Sequence, residues 1–373
     1  MKKLCFVVSS PSTARAFLKG PMLKLSEQYE IHLVANASQG ENLCKELSIK
    51  KFHFIPIERG LKPFHDLYCL YKMIRFLRTH SFDALHSVSP KAGLMAMLGG
   101  YIARVQMRTH TFTGQVWANK KGGFKWLLKT MDRLIAGCAT HVLVDGKSQL
   151  EFLKENQVVG AAADVLGKGS ICGVSLERFS PSSTIRASRR DALKIPPQEW
   201  VFMFLGRLNK DKGVIDLIHA FAQLDQQKKA CSLYLVGHDE ENIEERFANI
   251  SPKIHFIPFE KKPETLLQAC DTFCLPSYRE GFGLSVIEAA ALTKPIICSD
   301  AYGLADTIID HQTGLRHRVG DIPDLKQQLS YAIHHPEEIN AMGKAGRKYV
   351  EENFSEEYLL AEWELFYSKN LPL

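Results

Sequence analysis

The feature that most limits how this chain can fold is a rhythm of short apolar runs and longer amphipathic segments. In the first half the apolar runs are LCFVVSS, IHLVAN, KFHFIPI, ALHSV, QMRTHTF and HVLVDG; in the second they are VFMFLGR, CSLYLVG, IHFIPF, DTFCLPS and PIICSD. A strand that is apolar along nearly its whole length needs cover on both faces. Such runs separated by helical patterns therefore predict parallel sheets with helices on either side. Around 174–200 the chain becomes rich in Ser, Pro and Arg and the rhythm breaks, which predicts a linker. From about Asp324 it reads as helical to its end. The expectation is an α/β protein of two doubly wound domains: 1–174, a linker at 175–198, a second domain at 199–350, and a helical tail at 351–373. The length of 373 residues suits that division. In sheets of this kind ligands bind at the carboxyl ends of strands near a switch point, and two similar domains place the natural site in a cleft between them.

Nine cysteines lie singly, without a CxxC pair, and read as buried thiols in a reducing compartment. The opening MKKLCFVVSSPS is basic and then apolar, but it runs into STARAFLKG without a small-residue cleavage pattern. A first strand is expected there, not a signal peptide. No run approaches the roughly 20 apolar residues of a membrane span. Charge is uneven. Residues 1–180 carry 25 Lys and Arg against 13 Asp and Glu, whereas residues 181–373 carry 22 against 28. A basic first half favours anionic partners such as a membrane surface. Nucleic acid is not expected, because no recognised module and no stacking platform is present. The first turn, SSPSTARAF, lacks the glycine fingerprint of a dinucleotide site.

Four stretches carry chemistry. In LGRLNKDKG a strand ends near Gly206 and is followed by Arg207 and Lys212, two cations suited to a diphosphate. Read alone, it is equally a solvated basic turn. In YREGFGLSVIEAAAL, Glu280 precedes Gly281 and Gly283, and a helix starts near Leu284. The glycines let the backbone approach a ligand, and the helix start favours an anion. Glu288 lies one turn on, where the helix is apolar on nearly every side; a carboxylate there needs a partner such as ribose hydroxyls. The bland alternative is a helix-start glutamate and a surface one. In RTHTFTGQVW, His110 ends a strand, as a site residue or as a satisfied core histidine. Lys91 in HSVSPKAG is placed for an acceptor phosphate. Finally, NKKGGFKWLLKTMDRLIAG reads as a basic amphipathic helix, with Lys120, Lys121, Lys125 and Trp126 suited to an anionic membrane surface. The alternative is an ordinary helix with solvated lysines.

Together these pieces resemble the retaining glycosyltransferases of the GT-B fold, specifically glycosyltransferase family 4. The Glu280–x7–Glu288 spacing looks like that family's Glu-x7-Glu motif, and GRLNKDKG looks like its diphosphate-binding stretch. HTFTGQVW and HSVSPKAGL are similar to first-domain motifs of bacterial members that build lipid-linked surface glycans. The resemblance implies two Rossmann-like domains facing a central cleft, with the terminal helix crossing back to the first. It implies that Arg207 and Lys212 bind the donor diphosphate and stabilise the leaving nucleotide. It places Glu288 on the ribose, and Glu280 with the backbone of Gly281, Phe282, Gly283, Leu284 and Ser285 toward the donor sugar. His110 would contact the sugar or the acceptor. No cofactor and no metal are expected, since no Asp-x-Asp occurs and protein cations would replace a metal. The implied partners are a nucleotide-sugar donor, UDP-linked by expectation, a lipid-linked glycan acceptor and the anionic inner face of the cytoplasmic membrane, with the enzyme cytoplasmic and peripherally attached. A soluble acceptor, or a non-catalytic nucleotide-sugar-binding assembly protein, are the alternatives. The Ser9–Thr13 turn with Pro11 departs from the glycine-rich first turn of many members, which leaves its role open.

Overall fold

Each of the eleven apolar runs named above forms a strand. The computed structural model describes residues 1–37, 40–47, 49, 51–58, 60–225 and 230–372. In chain order the elements are β1 (Lys3–Val7), α1 (Pro11–Thr13), α2 (Lys19–Leu25), β2 (Glu30–Ala35), α3 (Gly40–Leu47), β3 (Lys51–Phe54), α4 (Pro63–His80), β4 (Ala84–Val88), α5 (Pro90–Ala103), β5 (Met107–Phe112), α6 (Gly122–Cys138), β6 (His141–Val144), α7 (Lys147–Glu155) and β7 (Asp164–Val165). They continue with α8 (Ser183–Ala192), β8 (Trp200–Leu205), α9 (Val214–Asp225), β9 (Cys231–Val236), α10 (Ile243–Phe247), β10 (Ile254–Ile257), α11 (Pro263–Leu266) and β11 (Thr272–Leu275). The last are α12 (Leu284–Ala291), β12 (Ile296–Ser299), β13 (Leu315–His317), α13 (Ile322–His334), α14 (Pro336–Asn353) and α15 (Glu356–Asn370).

The chain divides into two units, Met1–Gly173 with Glu356–Leu373, and Val174–Ser355. The first holds a seven-stranded sheet in the order β3-β2-β1-β4-β5-β6-β7, the second a six-stranded sheet in the order β10-β9-β8-β11-β12-β13. All pairings between these strands are parallel. In both sheets the order reverses beside the unit's first strand, between β1 and β4 and between β8 and β11. These are the switch points at which loops on opposite sides of the sheet diverge and leave a crevice.

Alternation along β1 shows why the sheet needs two covers. Leu4, Phe6 and Val8 face one core, where Trp363, Tyr367 and Leu371 of the C-terminal segment pack; Cys5 and Val7 face the other, with Met73 of α4 and Met95 and Ala96 of α5. Trp363 is fully buried and its indole N–H donates to the Ile171 carbonyl at 2.9 Å. The second unit has one continuous core from both faces of its sheet, including Phe202, Phe204, Phe221 and Phe273.

Two boundaries differ from the expected ones. The Ser-, Pro- and Arg-rich stretch at 175–198 is not a free linker but part of the second unit. Ser182 caps α8 by accepting from Ile185 N–H, and Arg186 and Arg190 of that helix bond Asp271 at 2.5 and 3.1 Å just before β11. The arginines that made the segment look solvated are its attachment. At the other end, α14 runs through Asn353 within the second unit, so the segment returned to the first begins at Glu356, not at 351.

Replacing Trp363 with Ala removes a fully buried indole and leaves the Ile171 carbonyl unpaired. It is expected to cost the first unit about 3–5 kcal/mol, read as a downward shift of its unfolding transition in chemical denaturation followed by circular dichroism.

Candidate functional site

The two motifs of the second half lie side by side across the switch point of the second sheet. β8 pairs with β11, Thr272 opposite Phe202 and Phe273 opposite Met203. GRLNKDKG leaves the carboxyl end of β8, and PSYREGFG leaves the carboxyl end of β11. The two loops are bonded together. Lys212 Nζ forms an ion pair with Glu280, and both side chains are mostly shielded from solvent. Ser277, fully buried, donates its hydroxyl to the same Glu280 oxygen at 2.8 Å. Arg279 donates to Asp211 at 2.8 Å, and Tyr278 N–H donates to the Asp211 carbonyl at 2.9 Å. Tyr278 O–H reaches Asp216 on α9 at 2.7 Å. The Arg279 Nε is buried without a hydrogen-bond partner among the described residues.

Gly213 sets how closely the loops meet. It has φ +70, and a Cβ there would lie 2.0 Å from the Pro276 carbonyl oxygen. Only glycine accepts both the left-handed backbone and that approach. Asn209, nearly buried, accepts from Lys212 N–H at 3.1 Å and so shapes the turn that carries the lysine.

Arg207 is more open, with its side chain 56% exposed. It donates to both carboxylate oxygens of Glu240, at 3.1 and 3.2 Å, and Asn209 Nδ2 donates to Glu240 at 2.6 Å. Glu240 belongs to the loop after β9, GHDEE, and was not among the residues expected from sequence. The only signal for it was a run of acids following a strand's carboxyl end.

Gly281, Phe282 and Gly283 are buried, and Gly283 N–H donates to the Gly303 carbonyl at 3.2 Å, which anchors this turn on the loop after β12. Phe282 stacks edge-on against Phe354, centroids 5.1 Å apart. On α12, Val286, Ile287, Ala289, Ala290 and Ala291 are buried while Leu284, Ser285 and Glu288 retain partial exposure on its remaining face. Glu288 is crowded by its surroundings; burial pushes its carboxyl up to about 7, opposed by the positive charge of Arg178 and reinforced by Glu264. No hydrogen-bond or ion-pair partner for it is found among the described residues, in contrast to Glu280. This is a carboxyl held where a ligand's donors would relieve it.

The first-unit candidates have different surroundings. His110 is 1% exposed; its Nδ1 is 2.8 Å from the Ser87 hydroxyl, and its ring lies against Phe112. Burial pushes its imidazole down to about 3, so it stays neutral near pH 7. Gly93 on α5 makes room for it: a Cβ there would lie 2.4 Å from the ring. Lys91 is not a free cation. It pairs with Asp66 of α4 and donates to the Gly60 carbonyl at 2.8 Å, so its charge is already met inside the unit. Ser9 and Ser89 hydroxyls are 3.2 Å apart where β1 and β4 end, at this unit's switch point. Lys120 and Lys121 are exposed just before α6, Lys125 is half-buried with its Nζ 5.9 Å from the Trp117 ring centroid, and Trp126 is 65% exposed. Among the described residues no group of three or more His, Cys, Asp or Glu is placed to hold a metal ion, and no helix is long and apolar enough to cross a membrane.

Residues 186–349 match the family model described as glycosyl transferases group 1. Over 91% of its length the chain is 28% identical to a capsular polysaccharide biosynthesis glycosyltransferase, CapM, of Staphylococcus aureus, covering 90% of that protein. It is 25% identical to the N,N'-diacetylbacillosaminyl-diphospho-undecaprenol alpha-1,3-N-acetylgalactosaminyltransferase of Campylobacter jejuni, with 82% of each chain covered. In fold it is similar to HepE of Anabaena, solved in complex with UDP, at a TM-score of 0.79 and 16% identity over 98% of this chain and all of the other. Two parallel sheets in this strand order, with these structural neighbours, give the chain the GT-B fold of two Rossmann-like units. The second unit matches the glycosyl transferases group 1 family, and the relatives that cover most of the chain are glycosyltransferases.

The raised Glu288 carboxyl carries a testable cost. Its folded pKa of about 7 lies above its ordinary 4.5, so the folded chain holds this proton more tightly than the unfolded chain does. Its contribution to stability is therefore greatest at low pH and falls as pH rises between those two values. Glu288→Gln is expected to raise the melting temperature at pH 8 by about 3 °C or more and to change it little at pH 4. An equal shift at both pH values would contradict the buried-carboxyl explanation.

Proposed function

We propose that the protein is a retaining hexosyltransferase that moves a hexose-type sugar, an N-acetylhexosamine among them, from a UDP-sugar to a polyprenyl-diphosphate-linked or other lipid-linked glycan, without a metal. The observation that carries this reading is the pair of cation–carboxylate contacts, Lys212 with Glu280 and Arg207 with Glu240, at strand ends beside the second switch point. Both cations sit where a diphosphate arrives, and both already have a carboxylate to exchange for it.

In this reading Lys212 and Arg207 take the donor's diphosphate, and the N-terminus of α12 adds backbone N–H groups. Glu288 accepts from the ribose hydroxyls. Glu280, freed from part of its bond to Lys212, faces the sugar with the Gly281–Ser285 backbone. The bond between the anomeric carbon and the β-phosphate oxygen breaks, and negative charge collects on that phosphate beside the two cations. The acceptor oxygen forms the new bond on the same face, and its proton passes to the departing phosphate. No side chain is assigned as a nucleophile. In the same reading His110, neutral and buried, serves as a hydrogen-bonding group for sugar or acceptor through Nε2, its Nδ1 being engaged by Ser87.

The lipid-linked acceptor and the membrane surface are supported by the names of the relatives and by Lys120, Lys121, Lys125 and Trp126 around the start of α6. The enzyme would work at the inner face of the cytoplasmic membrane without spanning it.

Transfer of labelled sugar from a panel of UDP-sugars to lipid-linked acceptors tests the assignment. Lys212→Ala and Glu280→Ala are each expected to lower kcat/KM by roughly 100-fold or more, and Glu288→Ala to act mainly on donor KM. Full transfer by both the Lys212 and Glu280 variants would overturn the reading.

A further inference from the structure

Helix α4 carries a stripe of large apolar side chains on its outer face. Phe64 is 91% exposed, Leu67 64%, Tyr68 48% and Tyr71 59%. Their spacing puts them on one side of the first three turns, while Cys69, Met73 and Leu77 face the core. None of these four side chains belongs to the buried cores formed by the described residues of the first unit. An exposed cluster of this kind marks an interaction surface.

A second cluster lies at the same edge. α4 packs on α5 and α5 on α6, so the three form one layer on the sheet. Each follows a parallel strand and runs back against it, so all three begin at the carboxyl edge of the sheet. The first two turns of α6 expose Phe124, Trp126 and Leu127, immediately after the exposed Lys120 and Lys121. Lys72 Nζ lies 4.7 Å over the Tyr68 ring, placing a cation beside the α4 stripe, and Arg75 and Arg78 continue the stripe along the exposed face. The nearby acids are occupied: Glu58 pairs with Lys62 and Asp66 with Lys91.

We propose that the outer face of α4 is an insertion surface for an anionic bilayer, acting with the start of α6 as a two-part membrane contact. The chemistry favours lipid over a protein partner. Aromatic rings with apolar bodies and polar edges, rimmed by lysine and arginine, match the headgroup boundary of a membrane. The cations meet anionic headgroups and the rings enter below them. The contact would turn the carboxyl edge of the first unit toward the membrane. This inference rests on the membrane reading above but assigns a surface that the lysines of α6 alone do not require.

The test uses the full chain with vesicles of phosphatidylcholine containing 30% (about one in three) phosphatidylglycerol. Flotation is compared for the wild type, the triple variant Phe64→Ser/Leu67→Ser/Tyr71→Ser, and Lys120→Glu/Lys121→Glu. The triple variant is expected to lose about tenfold or more of vesicle binding, with the loss persisting at high salt, while UDP binding and melting temperature stay unchanged. The lysine variant should lose binding chiefly at low salt. A single Phe64→Trp variant should be quenched by brominated lipid. Wild-type flotation by the triple variant, or no quenching at position 64, would overturn the proposal for α4 even if the lysine variant fails to bind. A wild type that does not float at all would overturn the membrane reading as a whole, and retained UDP binding would show that the donor site is untouched by that failure. A wild type that dimerises without lipid and becomes monomeric in the triple variant would reassign the stripe to a second copy of the chain.

Discussion

The bond between Lys212 and Glu280 is the contact on which the candidate site depends. It joins loops from two neighbouring strands, β8 and β11, across the place where the second sheet reverses its order. A second ion pair, Arg279 with Asp211 at 2.8 Å, joins the same two loops. The Lys212–Glu280 pair is held in register by Ser277 on one side and by the Asn209-shaped turn on the other. The pairing is partly shielded, so removing one partner would leave the other charge poorly solvated. The backbone permits this approach because residue 213 has no Cβ to meet the Pro276 carbonyl.

Around that contact the second unit places carboxyls in opposite conditions. Glu280 and Glu240 are paired with cations, while Glu288 is crowded and has no hydrogen-bond or ion-pair partner among the described residues, with its proton held up to about 7. Paired carboxylates hold the loops of the second unit together; the unpaired one weakens the fold above neutrality and favours a ligand that donates hydrogen bonds. That contrast gives the two glutamates of the Glu-x7-Glu spacing separate physical roles. It also makes Glu240 part of the site, since it orients Arg207 and Asn209 together.

Much of this was legible in the sequence because burial on both faces of a parallel sheet writes itself as unbroken apolar runs. β7 and β13 escaped notice: the first is two residues long, and the second, Leu315–His317, carries Arg and His on a short edge. The helix at Ser183–Ala192 read as linker because its arginines look solvated until Asp271 is seen beside them. Spacing alone could mark Arg207, Lys212, Glu280 and Glu288, since each falls near a strand end or helix start. It could not reveal Glu240, whose partner is 33 residues away, or that Lys91 is already paired with Asp66. Long-range electrostatic pairing has no local pattern, and neither does the burial of a single histidine such as His110.

In the proposed reading the second unit's switch point is a diphosphate site whose cations are held ready by carboxylates. Calorimetric titration of UDP into the 373-residue chain, wild type against Lys212→Ala, tests that claim most directly. Saturable binding by the wild type, weakened about tenfold or more in the variant, is the predicted result. Undiminished affinity in Lys212→Ala would contradict it.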